Sequence, residues 1–382
     1  MSAFTVESLI QKPVTEIREF LAAFSAELRD TQIPNTYLIK FSQETKVGHP
    51  EINHLRGLIF NVATNQVYSL TYPVPLEFKD LPSDEQELLI KDLSTGEYHV
   101  QEALDGTLLR LSYIDEQFGW LLSTNGKADA REAFWMNGCS FAEQFWSAQP
   151  KVNFEELDKN YVYMFLLCHP LNVIVVNHKD AHVYHVTTYD RRTLKEVECD
   201  LGIEHPRSFQ LTINDVVAQI RDAKDKPVAS AGYMVVMKPD ANGIVTRYRF
   251  ENHNYTKARE LRGDSNNTSF LLLSLMLDKD QTKLAEFLQY YPIYCKNVEI
   301  LHKRLMGLVS KFYREYGIRF KEHADIFVHP RHHRFLSELH THVYLGRLKG
   351  MNKTVQYQDI MDFVKAQPVA KVLYLLNYIY DL

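Results

Sequence analysis

The hydrophobic rhythm of this 382-residue chain changes once, near residue 265, and that change limits what it can fold into. Before it, apolar residues come in short runs rich in β-branched and aromatic side chains: Leu58-Ile59-Phe60, Leu108 to Tyr113, Tyr161 to Leu167, Val173 to Val176, His182 to Thr187 and Tyr233 to Met237. Turn pairs such as Asp105-Gly106 and Asn125-Gly126 punctuate them, which predicts strands joined by tight turns. Helices are expected at 14–28, 82–92, 129–147 and 213–223, the third with Ala133, Phe134, Cys139, Phe141, Ala142 and Phe145 as apolar positions. Past the polar stretch Gly263-Asp264-Ser265-Asn266-Asn267, Leu301, Leu305, Leu308, Val309, Phe312 and Tyr316 recur at helical steps, and similar faces run through 268–277, 281–290, 333–347 and 356–380. The expectation is an α+β chain with mostly antiparallel sheets in a first domain, 1–264, followed by an all-α C-terminal domain, 265–382.

Composition narrows the function classes. The apolar runs are short, such as Phe270 to Leu273, whereas a spanning helix needs about 20 apolar residues, so no membrane span is expected. The N-terminal stretch has no basic segment leading into an apolar one, so no signal peptide is expected. Cys139, Cys168, Cys199 and Cys295 lie far apart and form no CxxC pair; neither a zinc framework nor a disulfide scaffold is indicated, and an intracellular, cytoplasmic home fits. The net charge of −5 argues against nucleic acid until it is divided: residues 265–382 carry 16 Lys/Arg against 11 Asp/Glu, the rest 27 against 37. A positive C-terminal third on an acidic body favours an anionic partner there.

GxxxxGK[ST], GxGxxG and GxSxG are all absent, which removes the P-loop, Rossmann and nucleophile-elbow readings. The most informative stretch is Gln101-Glu102-Ala103-Leu104-Asp105-Gly106-Thr107 before the run LLRLSY. Upstream stands His54-Leu55-Arg56-Gly57-Leu58-Ile59-Phe60, followed by Tyr72-Pro73-Val74-Pro75-Leu76-Glu77-Phe78. Downstream come Gly119 to Gly126, then Phe165-Leu166-Leu167-Cys168-His169-Pro170-Leu171-Asn172-Val173, Ala231-Gly232-Tyr233-Met234-Val235, and Arg247-Tyr248-Arg249 with Tyr255 after it.

In that order these segments resemble the motifs of the RNA ligase family typified by the tRNA-repair ligase of T-even phages, within the covalent nucleotidyltransferases. The likeness spans about 40–262, and the helical C-terminal third matches that family's architecture. Residues 101–107 resemble E-K-x-D-G-S, whose lysine attacks the α-phosphate of ATP; here Ala103 holds its place, beside Asp105 and Gly106. Only a deprotonated amine can form the phosphoramidate, and a methyl group cannot. Residues 56–60 resemble R-G-[IL]-[MIV]-F, which implies a phosphate contact for Arg56; 72–78 resemble R-P-x-x-K-F-F without its basic residues. Residues 119–126 are similar to the segment ending S-K-G, with Asn125 at the lysine's place. Residues 165–175 resemble F-E-x-x-x-P-x-N-R-I-V, with Phe165 as core strand and site wall, Leu166 for the glutamate that binds ribose or metal, and Val173 for the arginine. Ala231 replaces the glutamate of E-G-[YVF]-V-[VI], and Arg247 and Arg249 stand for K-x-K, both on one strand face.

The departures share a direction. An amine and two carboxylates have become Ala103, Leu166 and Ala231, while Arg56, Asp105, Gly106, Phe165, Arg247 and Arg249 remain. The resemblance implies a pseudo-ligase that keeps RNA or nucleotide binding. Its rivals are an active ATP-dependent ligase sealing 3′-OH and 5′-phosphate ends, with ATP and Mg2+ as cofactors and Ala103 introduced by mutation, a shifted register in which Lys127 serves, and a scaffold protein in an assembly such as a virus particle. Expected partners are RNA, tRNA-like or broken at its ends, or assembly and virion partners, with no membrane. Candidate RNA contacts in the positive third are Lys303, Arg304, Arg331 and Arg334. The histidines His329, His332, His333, His340 and His342 lie among them; with no cysteine nearby and no HExxH they read as a basic patch rather than a zinc site, and no metal ligand is expected.

Overall fold

Strand alternation in the first part of the chain builds three sheets. The structure is a computed structural model that describes residues 6–49, 51–135, 138–223, 228–263, 267–324 and 327–377. The chain divides into two compact units, Met1–Glu260 and Leu261–Leu382. Residues 264–266, where the rhythm changes, lie outside the described residues. The α+β class, the antiparallel sheets and the helical C-terminal part are as the sequence predicts.

The first sheet is an antiparallel meander of Ala26–Asp30, Thr36–Phe41, Ile59–Asn61 and Gln66–Ser69. The second runs in the spatial order Lys195–Val197, His182–Asp190, Tyr161–Cys168, Thr107–Tyr113, Trp120–Thr124. The third runs Ser208–Phe209, Tyr98–Ala103, Gly232–Met237, Arg247–Glu251, Leu76–Glu77, and its last pairing is parallel. Strand 161–168 shows how alternation sorts the core. Val162 and Met164 join Ile17, Leu21 and Phe60 on one face, while Tyr163, Phe165 and Leu167 join Phe145 and Leu122 on the other. Val100, Val235 and Phe250 of the third sheet are covered by Val216, Val217 and Ile220 of helix Ile213–Asp222.

Three expected elements are corrected. The 129–147 helix is a short 3-10 turn at Ala130–Glu132 and a separate helix, Phe141–Ser147. Ser140 and Glu143 form a capping box that starts the second piece, and Phe134, expected in the core, is 51% exposed. The 14–28 helix stops at Ala22, where Ser25 turns left-handed and releases the chain into strand Ala26–Asp30. Val173 to Val176 form no strand, because the amides of Val175 and Val176 donate to the carboxylate of Asp105 instead of a ladder.

The second unit is all helical, led by Cys295–Tyr316, whose predicted stripe Leu301, Leu305, Leu308, Val309, Phe312 and Tyr316 is buried. Each such side chain contributes about 2 kcal/mol by leaving water. The 333–347 face divides into helix Pro330–Leu339 and a π-helical stretch, His340–Leu348. The 356–380 face divides at Pro368 into Tyr357–Lys365 and Val369–Leu376; residues 378–380 of that face lie outside the described residues.

One buried group gives this fold a pH dependence. His185 is 1% exposed, and burial, helped by neighbouring His205, pushes its imidazole down to about 4. The unfolded chain takes up that proton near 6.5. Stability from the neutral ring is therefore complete above about 6.5 and is lost as pH falls toward 4, by about 3 kcal/mol. Urea titrations at pH 7, 5.5 and 4.5 should show this slope, and His185→Gln should flatten it; equal slopes in both proteins would count against the assignment.

Candidate functional site

The segment 101–107 crosses from the third sheet to the second. Ala103 ends strand Tyr98–Ala103, paired with Gly232, and accepts a hydrogen bond from the Ala231 amide at 3.1 Å. Ala103 and Ala231 are 2% and 0% exposed, so these two alanines meet in the core. Gly232 has φ +131°, and a Cβ there would stand 2.1 Å from the Phe250 carbonyl oxygen. Gly106 is equally constrained: a Cβ would stand 2.6 Å from the carbonyl oxygen of Leu167. Both glycines let one backbone approach another at a strand end.

Asp105 is a knot between distant segments. Its Oδ2 accepts from the amides of Val175 and Val176 at 2.8 and 2.7 Å, and its Oδ1 accepts from the Tyr255 hydroxyl at 2.8 Å. Its carbonyl oxygen lies 2.6 Å from His178 Nε2. The side chain is buried. Burial, then the Asp105 charge, pushes the Tyr255 hydroxyl well above its ordinary pKa, so it stays a donor.

Leu166 lies in register with Leu108 on one side and Tyr184 on the other. The three half-buried side chains form an apolar and aromatic strip. Phe165 is fully buried on the opposite face, 5.3 Å from the ring of Phe145, and belongs to the core as expected. Val173 is buried, and its carbonyl accepts from Trp135 Nε1 at 3.1 Å.

The retained arginines gather charge. Arg56 is exposed to solvent, yet the protein around it strips part of its hydration. That desolvation lowers its pKa, with Tyr72 opposing and Arg249 and Arg259 adding to the effect. Arg249 lies 3.5 Å from Glu77 Oε1 and 3.9 Å from Glu251 Oε1. Arg259 reaches Glu251 at 2.9 Å and Lys79 reaches it at 2.8 Å. Four cations thus face the carboxylates of Glu77 and Glu251. Arg249 Nε and Glu77 Oε2 are buried without a hydrogen-bond partner. Tyr255, hydrogen-bonded to Asp105, lies within electrostatic range of Arg249 and Arg259, which ties these cations to the 103–105 turn. Arg110 holds the Arg56-Gly57 backbone: its guanidinium donates to the carbonyls of Gly57 and Thr124, and full burial pushes its pKa down to about 9.

Arg247 faces the same side as Arg249 but is engaged. It binds Glu196 bidentately at 2.7 and 2.8 Å, its guanidinium lies 4.6 Å from the Tyr72 ring, and Tyr189 donates to the same carboxylate at 2.8 Å. Burial works against the Arg247 charge, but Glu196 outweighs it and holds the pKa above the ordinary value. The motif reading missed Lys79, Arg110, Glu196, Glu251 and Arg259. Arg110 alone carried a signal, as a lone cation inside the apolar run LLRLSY.

In the second unit, Lys303 and Arg334 are exposed, Arg334 reaching Glu338 at 3.1 Å. Arg304 donates to the Leu376 carbonyl at 3.0 Å, and Arg331 lies 4.3 Å from the Tyr374 ring, so both fasten the last helix. His332 is buried, 3.5 Å from Glu315. Among the described residues, no three His, Cys, Asp or Glu converge as metal ligands, and no helix is long and apolar enough to cross a membrane.

No protein-family model matches this chain, and no curated protein does. Among solved structures it is similar to an archaeal ATP-dependent RNA ligase in two forms. Both forms are 12% identical, with 78% of this chain and 74% of that chain covered, at TM-scores of 0.46 and 0.43. It is also similar to a Naegleria gruberi RNA ligase mutant with ATP and Mn, 13% identical, with 49% of this chain and 58% of that chain covered, at a TM-score of 0.34.

Proposed function

We propose that this chain is an RNA-ligase-like protein that has lost adenylyl transfer and keeps its cationic cluster for the phosphates of RNA or a nucleotide. The observation that carries the reading is the contrast between the two ends of the site. At the reacting end, Ala103 and Ala231 are packed against each other's backbone and Leu166 sits in an apolar strip. Neither an amine nor a carboxylate stands at those positions, so the nucleophilic and electrostatic contributions, each worth orders of magnitude in rate, are missing. At the phosphate end, Arg56, Arg249, Arg259 and Lys79 outnumber Glu77 and Glu251.

Tested against ATP and Mg2+, the residues fit only in part. The cluster suits the phosphates of ATP through Arg56, Arg249 and Arg259. The ribose and metal positions lack their acceptors. Asp105, Gly106 and Phe165 serve the fold in this reading, and Arg247 positions the strand that carries Arg249. Division into a nucleotidyltransferase-like domain, 1–264, and a helical domain, 265–382, accompanies it, as do a cytoplasmic setting and RNA as partner through the positive helical part.

Intact-mass measurement after incubation with ATP and magnesium tests it. The chain should gain no AMP, and an adduct would overturn the reading. Ala103→Lys restores the amine but neither carboxylate and should also stay unmodified; an adduct on that variant would show that a single recent change silenced the protein.

A further inference from the structure

The helical unit contains two π-helical turns that touch. Gly317–Lys321 widens the end of the long helix Cys295–Tyr316, and the Glu322 amide reaches back to the Gly317 carbonyl at 3.1 Å. His340–Leu348 widens the end of helix Pro330–Leu339, and the Lys349 amide reaches back to Tyr344. Each inserts an extra residue per turn, a rare device that frequently marks functional sites. Where they meet, their aromatic rings form a column. Phe320 stacks on His340 at 4.2 Å with 11° between planes, and His340 lies 5.1 Å from Tyr344 at 31°. Tyr316, buried beneath, fixes the imidazole through its hydroxyl, 2.9 Å from His340 Nδ1. Burial, with Lys349 nearby, holds His340 below the ordinary imidazole range, so near pH 7 it stacks as a neutral ring.

Phe320, His340 and Tyr344 are half-buried rather than sealed in the core. Cations frame them: Arg319 lies 5.4 Å from the Phe320 ring, and Lys349 is within electrostatic range of His340. The stretch 265–382 has 16 Lys/Arg against 11 Asp/Glu, a net positive charge that suits a polyanion. Preordered, partly exposed aromatic side chains beside cations are what unpaired bases on a phosphate backbone stack upon, without regard to sequence.

We infer that the Phe320–His340–Tyr344 column is a stacking platform for unpaired bases of single-stranded RNA. The inference rests on the RNA-binding reading above but uses residues that reading did not assign. The test is fluorescence anisotropy of the full chain with a labelled single-stranded RNA and with a blunt RNA duplex, across a range of salt. Wild type should prefer the single strand and lose affinity as salt rises. Phe320→Leu and Tyr344→Leu keep bulk and charge but remove the π-face. Each should weaken single-strand binding by about tenfold to a hundredfold, with the salt slope unchanged. Phe320→Tyr retains the face, should bind as wild type does, and controls for folding. Salt-sensitive RNA binding by wild type that both leucine variants retain, or a preference for duplex, would overturn the platform and leave the RNA reading standing. Failure of wild type to bind either RNA would overturn both.

Discussion

Asp105→Ala should cost the first unit most of its stability. The carboxylate accepts two backbone amides and the Tyr255 hydroxyl, and these donors come from segments 70 and 150 residues away. Alanine leaves all three donors inside the protein without an acceptor. An unsatisfied buried polar group costs about 1–3 kcal/mol, so the total reaches about 3–5 kcal/mol even after partial relaxation. Asp105→Asn keeps one acceptor oxygen but turns an NH2 toward a donor, and should fall between. Urea unfolding of wild type and both variants measures this. A loss under about 1 kcal/mol for Asp105→Ala would mean that the carboxylate is held for chemistry and not for the fold. The comparison separates the two roles that one motif position can have.

That position also shows what sequence could and could not reveal. The order of the motifs placed Arg56 and Arg249 in one site, and the structure brings them together. Tyr255 entered only as the tyrosine that follows Arg249, and nothing in the sequence joined it to Asp105, to which it hydrogen-bonds. What the motif order could not tell was that Asp105 spends its lone pairs on Val175 and Val176. Those valines look like a strand by composition, and only their distant acceptor explains why they are not one. Phe165 and Leu166 were legible in principle, since adjacent strand residues face opposite ways and only one can line a site. The split of 129–147 was legible too, because Ser140-x-x-Glu143 is a helix start written in the sequence. Glu196 had no such signal. It lies on a three-residue edge strand, and its main partner, Arg247, comes from another sheet.

Glu196→Ala should therefore destabilise the protein about as much as losing Asp105, for a different reason. Arg247 is 5% exposed, and Glu196 is its ion-pair partner. Without the carboxylate, a guanidinium is left buried against the Tyr72 ring, and stranding one member of a buried pair costs about 3–5 kcal/mol. Tyr189 and Thr187 lose their acceptor as well. Replacing both partners together, Glu196→Leu with Arg247→Met, removes the stranded charge, so the double variant should be more stable than Glu196→Ala alone. Guanidinium titrations of the three proteins decide this, and a double variant worse than the single would show that the pair is worth more than its desolvation. The pH course gives a second check. Burial opposes the Glu196 charge, yet the Arg247 hydrogen bonds win and lower its pKa, so the pair's stabilisation is present above the unfolded carboxylate pKa and fades as pH falls through the folded one. If the double variant folds and keeps the anion affinity proposed for Arg249, the ion pair sets only stability; if that affinity falls, the pair aims the strand that carries Arg249.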